Sequence, residues 1–90
     1  MINTYQIYLI SDSTGETLDR IFLALKAQFK NIEYKVHSCS FTRTENQILK
    51  ILDDAKKNEN SVILYTIVDN NLAKYLANVS GDKKIPCFGV

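Results

Sequence analysis

The sequence predicts a small α/β domain built on a parallel sheet, and three observations lead there. Apolar β-forming runs alternate with stretches whose apolar residues recur at helical spacing, in the order β-α-β-α-β-α-β. The first and third β runs are apolar at both odd and even positions, as strands covered on both faces are. The second run alternates instead, as a strand with one wet face does. Central first and third strands with the second at an edge give the order 2-1-3-4, a truncated doubly wound, Rossmann-like sheet of three layers.

The elements follow in turn. Tyr5 to Ile10 forms the first strand, and Ser11-Asp12-Ser13-Thr14-Gly15-Glu16-Thr17 is a cluster of turn and cap residues. Leu18, Ile21, Phe22, Leu25 and Phe29 then make one apolar stripe of a helix, with Asn31 as its stop. In the second strand, Glu33 to Cys39, Tyr34 and Val36 face one way while Glu33, Lys35 and His37 face water. Thr42-Arg43-Thr44-Glu45 fits a capping box before a helix carrying Ile48, Ile51, Leu52 and Ala55. Lys56 and Lys57 suit its last turn. Val62 to Val68 is the most continuous apolar run and forms the third strand, buried on both faces. Asp69 caps a third helix with Leu72, Leu76 and Val79, ended by Ser80-Gly81-Asp82. Pro86 to Val90 opens a fourth strand.

Composition narrows the function. Ninety residues make one domain, 1–90, and 46% hydrophobic with 23% charged residues is a globular balance. A net charge of +1 gives no electrostatic reason to expect nucleic acid. No apolar run is long enough for a bilayer and no signal peptide precedes the first strand, so the expected location is cytoplasmic, without a membrane partner. Cys39 and Cys87 have no CxxC spacing and His37 is the only histidine, so no structural zinc site is expected and both thiols read as small core hydrophobes.

Ligands of such sheets bind beyond the carboxyl ends of the strands, at the switch point. Here that crevice is lined by Ser11 to Thr17 and by Val68 to Asn71. Ser13, Thr14 and Thr17 offer hydroxyls, Gly15 a close backbone approach, and the helix start its free N–H groups, which together describe a phosphate or carboxylate cradle. Ser13-Thr14-Gly15-Glu16 equally spells a capping box that needs no ligand, and Asp12 and Glu16 would repel an anion unless a metal or lysine intervened. Arg43 could add a bidentate contact or lie on the surface, and Asp69 fits a cap better than a catalytic acid. No G-x-x-x-x-G-K-[ST], G-x-G-x-x-G or nucleophile elbow occurs, so no catalytic residue is assigned.

The stretch I-Y-L-I-S-D-S-T-G-E-T-L, Ile7 to Leu18, closely resembles the opening of the bacterial regulatory proteins of pyruvate, phosphate dikinase and phosphoenolpyruvate synthase. F-T-R-T-E-N-Q-I (Phe41 to Ile48), I-L-Y-T-I-V-D (Ile63 to Asp69) and I-P-C-F-G-V (Ile85 to Val90) resemble that family in order and spacing. The resemblance implies a bifunctional ADP-dependent serine/threonine kinase and phosphate-dependent phosphorylase acting on a threonine of the target enzyme. It implies ADP and phosphate as ligands of the longer protein, and dikinase or synthase as partner. Family members are roughly three times longer, with a P-loop-type site in a C-terminal domain that has no counterpart here. The chain is therefore expected to be their N-terminal domain, a non-catalytic structural, anion-binding or partner-binding piece. Two other readings use the same loop: a flavodoxin-like module cradling the phosphate of FMN, and a receiver-like phosphoacceptor with Asp12 and Asp69 as its acidic pair. In the 2-1-3-4 order one helix alone covers the first face, which leaves strands three and four bare there and favours a homo-oligomer.

Overall fold

A computed structural model describes residues 4–27, 33–58 and 60–90. The elements are β1 (Thr4–Ser11), α1 (Glu16–Lys26), β2 (Glu33–Cys39), α2 (Glu45–Lys56), β3 (Ser61–Thr66), α3 (Asn70–Asp82) and β4 (Cys87–Gly89). The four strands form one parallel sheet in the order β2-β1-β3-β4, as the strand patterns predict. Among the described residues no helix is long and apolar enough to cross a membrane.

Strand parity sorts the side chains into two cores. Tyr8, Ile10 and Ile63 point to one face and pack against Ile48, Leu52 and Ala55 of α2 and Leu72 and Leu76 of α3. Leu9 points to the other face and packs with Leu18 and Phe22 of α1, with Ile7, Tyr34 and Leu64 at the margin. Phe22 meets Tyr34 edge to face, with centroids 5.4 Å apart. Two helices thus cover one face and a single helix covers the other.

Several local expectations are corrected. His37 is half-buried rather than simply solvated: its ring stacks on Tyr8 at 4.4 Å, and Nε2 lies 2.7 Å from Gln6 Oε1. Val36, expected on the buried side of β2, is exposed because α1 packs over β1 and β3 and stops short of it. Val62 and Leu64 of β3 are only partly buried, because α1 covers that side of the strand incompletely. The α2 capping box runs from Thr44 to Gln47 rather than from Thr42 to Glu45: Thr44 Oγ1 accepts from Gln47 N, and Gln47 Oε1 accepts from Thr44 N. α3 continues through Ser80 and Gly81 to Asp82, with the buried Ser80 hydroxyl donating to Ala77 O. The proposed first-helix residues Phe29 and Asn31 lie outside the described residues; the helix itself ends at Lys26. Cys39 and Cys87 are half-buried against the larger core, and burial pushes both thiols above their ordinary range.

Candidate functional site

β1 runs out at Ser11, which is almost fully buried, and the chain turns through four residues into α1. Gly15 makes the last step in the left-handed region, at φ 83°, where an L side chain would be strained. A Cβ there would also sit 3.4 Å from Ser40 Oγ. The result is a hollow of about 290 Å³ at the carboxyl end of the sheet, lined by Ser11 to Thr17, Thr66 and Val68.

Two neighbouring loops hold this turn in place. From β2–α2, Phe41 N donates to Ser13 O at 2.9 Å, Thr42 N to Ser11 O at 2.8 Å, and Ser40 Oγ to Thr14 O at 3.0 Å. From β3–α3, Val68 N donates to Asp12 Oδ2 at 2.9 Å, while Thr66 Oγ1 reaches Ser11 Oγ at 3.5 Å. The turn is therefore tied to both flanking strands of β1, which is what the switch point of the sheet offers sterically.

The capping box spelled by Ser13-Thr14-Gly15-Glu16 does not form. Gly15 itself occupies the N-cap position and no side chain caps the helix. Ser13 N, the donor that Glu16 would have accepted, is bonded to Ser11 Oγ at 3.1 Å, and the two serine hydroxyls lie 3.2 Å apart. The first turn of α1 therefore presents its N–H groups, and the positive end of the helix dipole, without an internal partner from a side chain.

Of the residues singled out in the sequence, Ser11, Asp12, Ser13, Thr14, Gly15, Glu16 and Thr17 come together around the hollow. Arg43 and Asp69 do not line it. Arg43 Nε donates to Asp12 O at 3.0 Å and its guanidinium lies 5.3 Å from the Phe41 ring centre, so it braces the loop from outside. Asp69 Oδ1 accepts from Asn71 N and Leu72 N and caps α3. The acidic pair of a receiver-like site is thus not assembled, because the second carboxylate is spent on a helix start. No aromatic side chain lines the hollow, so a flavin ring has no stacking partner within it. Thr66 and Ser40 are the participants that the sequence reading missed. Thr66 announces itself only as a polar residue interrupting the third apolar run, and Ser40 follows the second strand with no motif of its own.

The lining is chemically mixed: hydroxyls and open backbone N–H groups on one side, the carboxylates of Asp12 and Glu16 on the other, and no lysine or arginine. Such a hollow can hold a small oxyanion through N–H and hydroxyl donors. Asp12 is engaged at one oxygen by Val68 N. No group of three or more His, Cys, Asp or Glu side chains suited to a metal occurs among the described residues.

Comparison with known proteins sets this geometry in a family. A family model described as Kinase/pyrophosphorylase matches residues 7–90. A protein of Pelagibacter ubique is 74% identical over 90 residues, the whole of this chain and 33% of that protein. Proteins of Geotalea uraniireducens and Alkaliphilus oremlandii are 51% and 41% identical over 73 and 80 residues, covering 81% and 89% of this chain. All three are named "Putative pyruvate, phosphate dikinase regulatory protein", and the chain spans only 27% to 33% of their lengths. The match covers both the hollow and the strands that frame it, and the chain belongs to the kinase/pyrophosphorylase family.

Proposed function

We propose that this chain is the N-terminal domain of a regulator that phosphorylates and dephosphorylates a threonine of pyruvate, phosphate dikinase or phosphoenolpyruvate synthase. In that reading ADP-dependent kinase and phosphate-dependent phosphorylase chemistry belongs to a P-loop domain outside these 90 residues. The role of this domain is to bind a phosphate-like anion at the loop from Ser11 to Thr17. The observation that carries the reading is the uncapped start of α1, opening into a hollow ringed by Ser13, Thr14 and Thr17. The names of its relatives support the target, and the absence of a lysine in the hollow supports a non-catalytic role, since phosphoryl transfer needs the phosphates and a metal held in place.

Titrating the labelled chain with inorganic phosphate tests the anion site. Amide shifts confined to Ser13 through Thr17 are expected at tens of millimolar, the range for a contact of about 1–3 kcal/mol. Thr14→Val should weaken them several-fold. A wild-type loop that does not respond reduces the hollow to a turn. Incubating the chain with dikinase and labelled ADP tests the division of labour: no label above the enzyme-free control is expected, and incorporation overturns it.

A further inference from the structure

We infer that the loop joining β2 to α2 is a protein-docking surface, with Phe41 as its apolar anchor and Arg43 as its charged one. This rests on the target proposed above: the partner is pyruvate, phosphate dikinase, met at an apolar socket with a carboxylate on its rim.

Phe41 and Lys84 are the non-glycine residues with positive φ among the described ones. Lys84 sits just past the end of α3, where Ile85 N donates to Ser80 O and helix ends routinely adopt that conformation. Phe41 has no such excuse: its φ of 55° is one that a bulky side chain rarely takes. The backbone is held there by two bonds, Phe41 N donating to Ser13 O at 2.9 Å and Gln47 Nε2 donating to Phe41 O at 3.3 Å. Those bonds need the conformation and not the benzyl group, and glycine or asparagine would meet the same φ with less strain. Nor does the core need the ring, which is 51% exposed and belongs to neither apolar cluster. A large apolar side chain kept in a strained turn and shown to solvent is placed for contact outside the chain.

Arg43 specifies the chemistry of that contact. Its guanidinium carbon lies over the Phe41 ring, 5.3 Å from the centre, and its Nε donates to Asp12 O at 3.0 Å, so ring and cation are held as one unit. Among the described residues Arg43 pairs with no carboxylate, and its two Nη groups have no partner. A planar cation with open donors beside an exposed ring fits an apolar socket edged by a carboxylate, and such anchors carry much of the affinity at protein interfaces. Because the backbone is already tied, little ordering is needed on docking. On the other side of the turn Val68, 86% exposed and anchored through its N–H to Asp12, adds apolar surface. The net charge of +1 gives nucleic acid no general attraction to this loop, which favours a protein.

Biolayer interferometry of this chain over immobilised pyruvate, phosphate dikinase tests the surface, with saturable binding expected. Phe41→Gly should weaken binding about tenfold or more while the urea midpoint holds or rises, because the strain leaves with the ring. Arg43→Glu should weaken it as much, and Arg43→Lys less, since a point charge remains without the fork. Leu23→Ser, at a residue 57% exposed on α1, should bind like wild type. Binding indifferent to Phe41→Gly and Arg43→Glu overturns the inference and leaves the target standing. Wild type that does not bind dikinase overturns both, while the phosphate titration still judges the anion site by itself. A Phe41→Gly chain that unfolds more readily assigns the ring to the fold, and single-stranded RNA bound more tightly than dikinase assigns it to a base; either result overturns the inference.

Discussion

The Asp12 carboxylate accepts a hydrogen bond from the backbone N–H of Val68 at 2.9 Å, joining residues 56 positions apart at the two sides of the switch point. This bond ties two walls of the hollow together, because Asp12 belongs to the turn after β1 and Val68 to the segment after β3. It also gives Asp12 a structural employment that its position beside an anion cradle would not suggest.

Asp12→Ala should accordingly lower stability by about 1 kcal/mol, less than a buried bond to a charged acceptor because this one is solvent-exposed. Asp12→Asn keeps an acceptor oxygen and should lose less. Phosphate binding should move the other way: removal of the charge strengthens the shifts of Ser13 to Thr17. Urea unfolding and the phosphate titration, run on the same two variants, separate the effects.

Gly15→Ala places a side chain at φ 83°, which costs about 1–2 kcal/mol in the left-handed region. The added methyl meets Ser40 Oγ at 3.4 Å, a contact that a small rotation of the serine can relieve. Stability should therefore fall by the backbone cost alone. A parallel Ser40→Ala, Gly15→Ala double variant should recover little, as a denaturation series will show.

Where periodicity expressed burial, the fold was readable in the residues. The doubly apolar runs Tyr5 to Ile10 and Val62 to Val68 mark the two central strands, although β3 ends at Thr66 and leaves Val68 exposed beyond it, and Leu18 and Phe22 became the inner stripe of α1. The site was readable only as a cluster. Ser13-Thr14-Gly15-Glu16 satisfies the pattern of a capping box, yet Ser11 Oγ takes the N–H the box requires, and a competition between two nearby acceptors leaves no mark in residue spacing. His37 was misplaced for a related reason. Alternation assigns it to a wet face, but that face lies beside α2, where Tyr8 offers a ring to stack on. Such pairings depend on the register between neighbouring strands, which sets Tyr8 beside His37, and single-strand patterns do not carry that information.

Thr44 anchors the start of α2 through the reciprocal pair with Gln47. Thr44→Ala removes the side-chain acceptor and should cost about 1 kcal/mol. Gln47→Glu should be tolerated, since a carboxylate accepts the same Thr44 N–H and favours a helix N-terminus, although it loses the Nε2 donation to Phe41 O. Thermal unfolding of the two variants should thus differ, with Thr44→Ala the less stable.

Tyr8 gives the domain a pH dependence in the alkaline range. Its ring is buried between His37 and the α2 core, and its hydroxyl donates to Asp54 Oδ2 at 2.7 Å. Burial first, then the hydrogen bond and the negative charge of Asp54, push its pKa from 10.0 up to about 12. The folded state therefore holds this proton more tightly than the unfolded state does. Between pH 10 and 12 the unfolded chain has released the proton while the folded chain retains it, so unfolding is favoured as pH rises. The stabilisation is fully present below pH 10 and is lost as pH climbs through about 12. Tyr8→Phe removes both the bond and the titration. It should be less stable than wild type by about 1 kcal/mol at neutral pH, and its stability should fall less steeply above pH 10. Absorbance at the tyrosinate band provides the independent check: one of the five tyrosines should ionise late in wild type, and that late step should be absent from the variant.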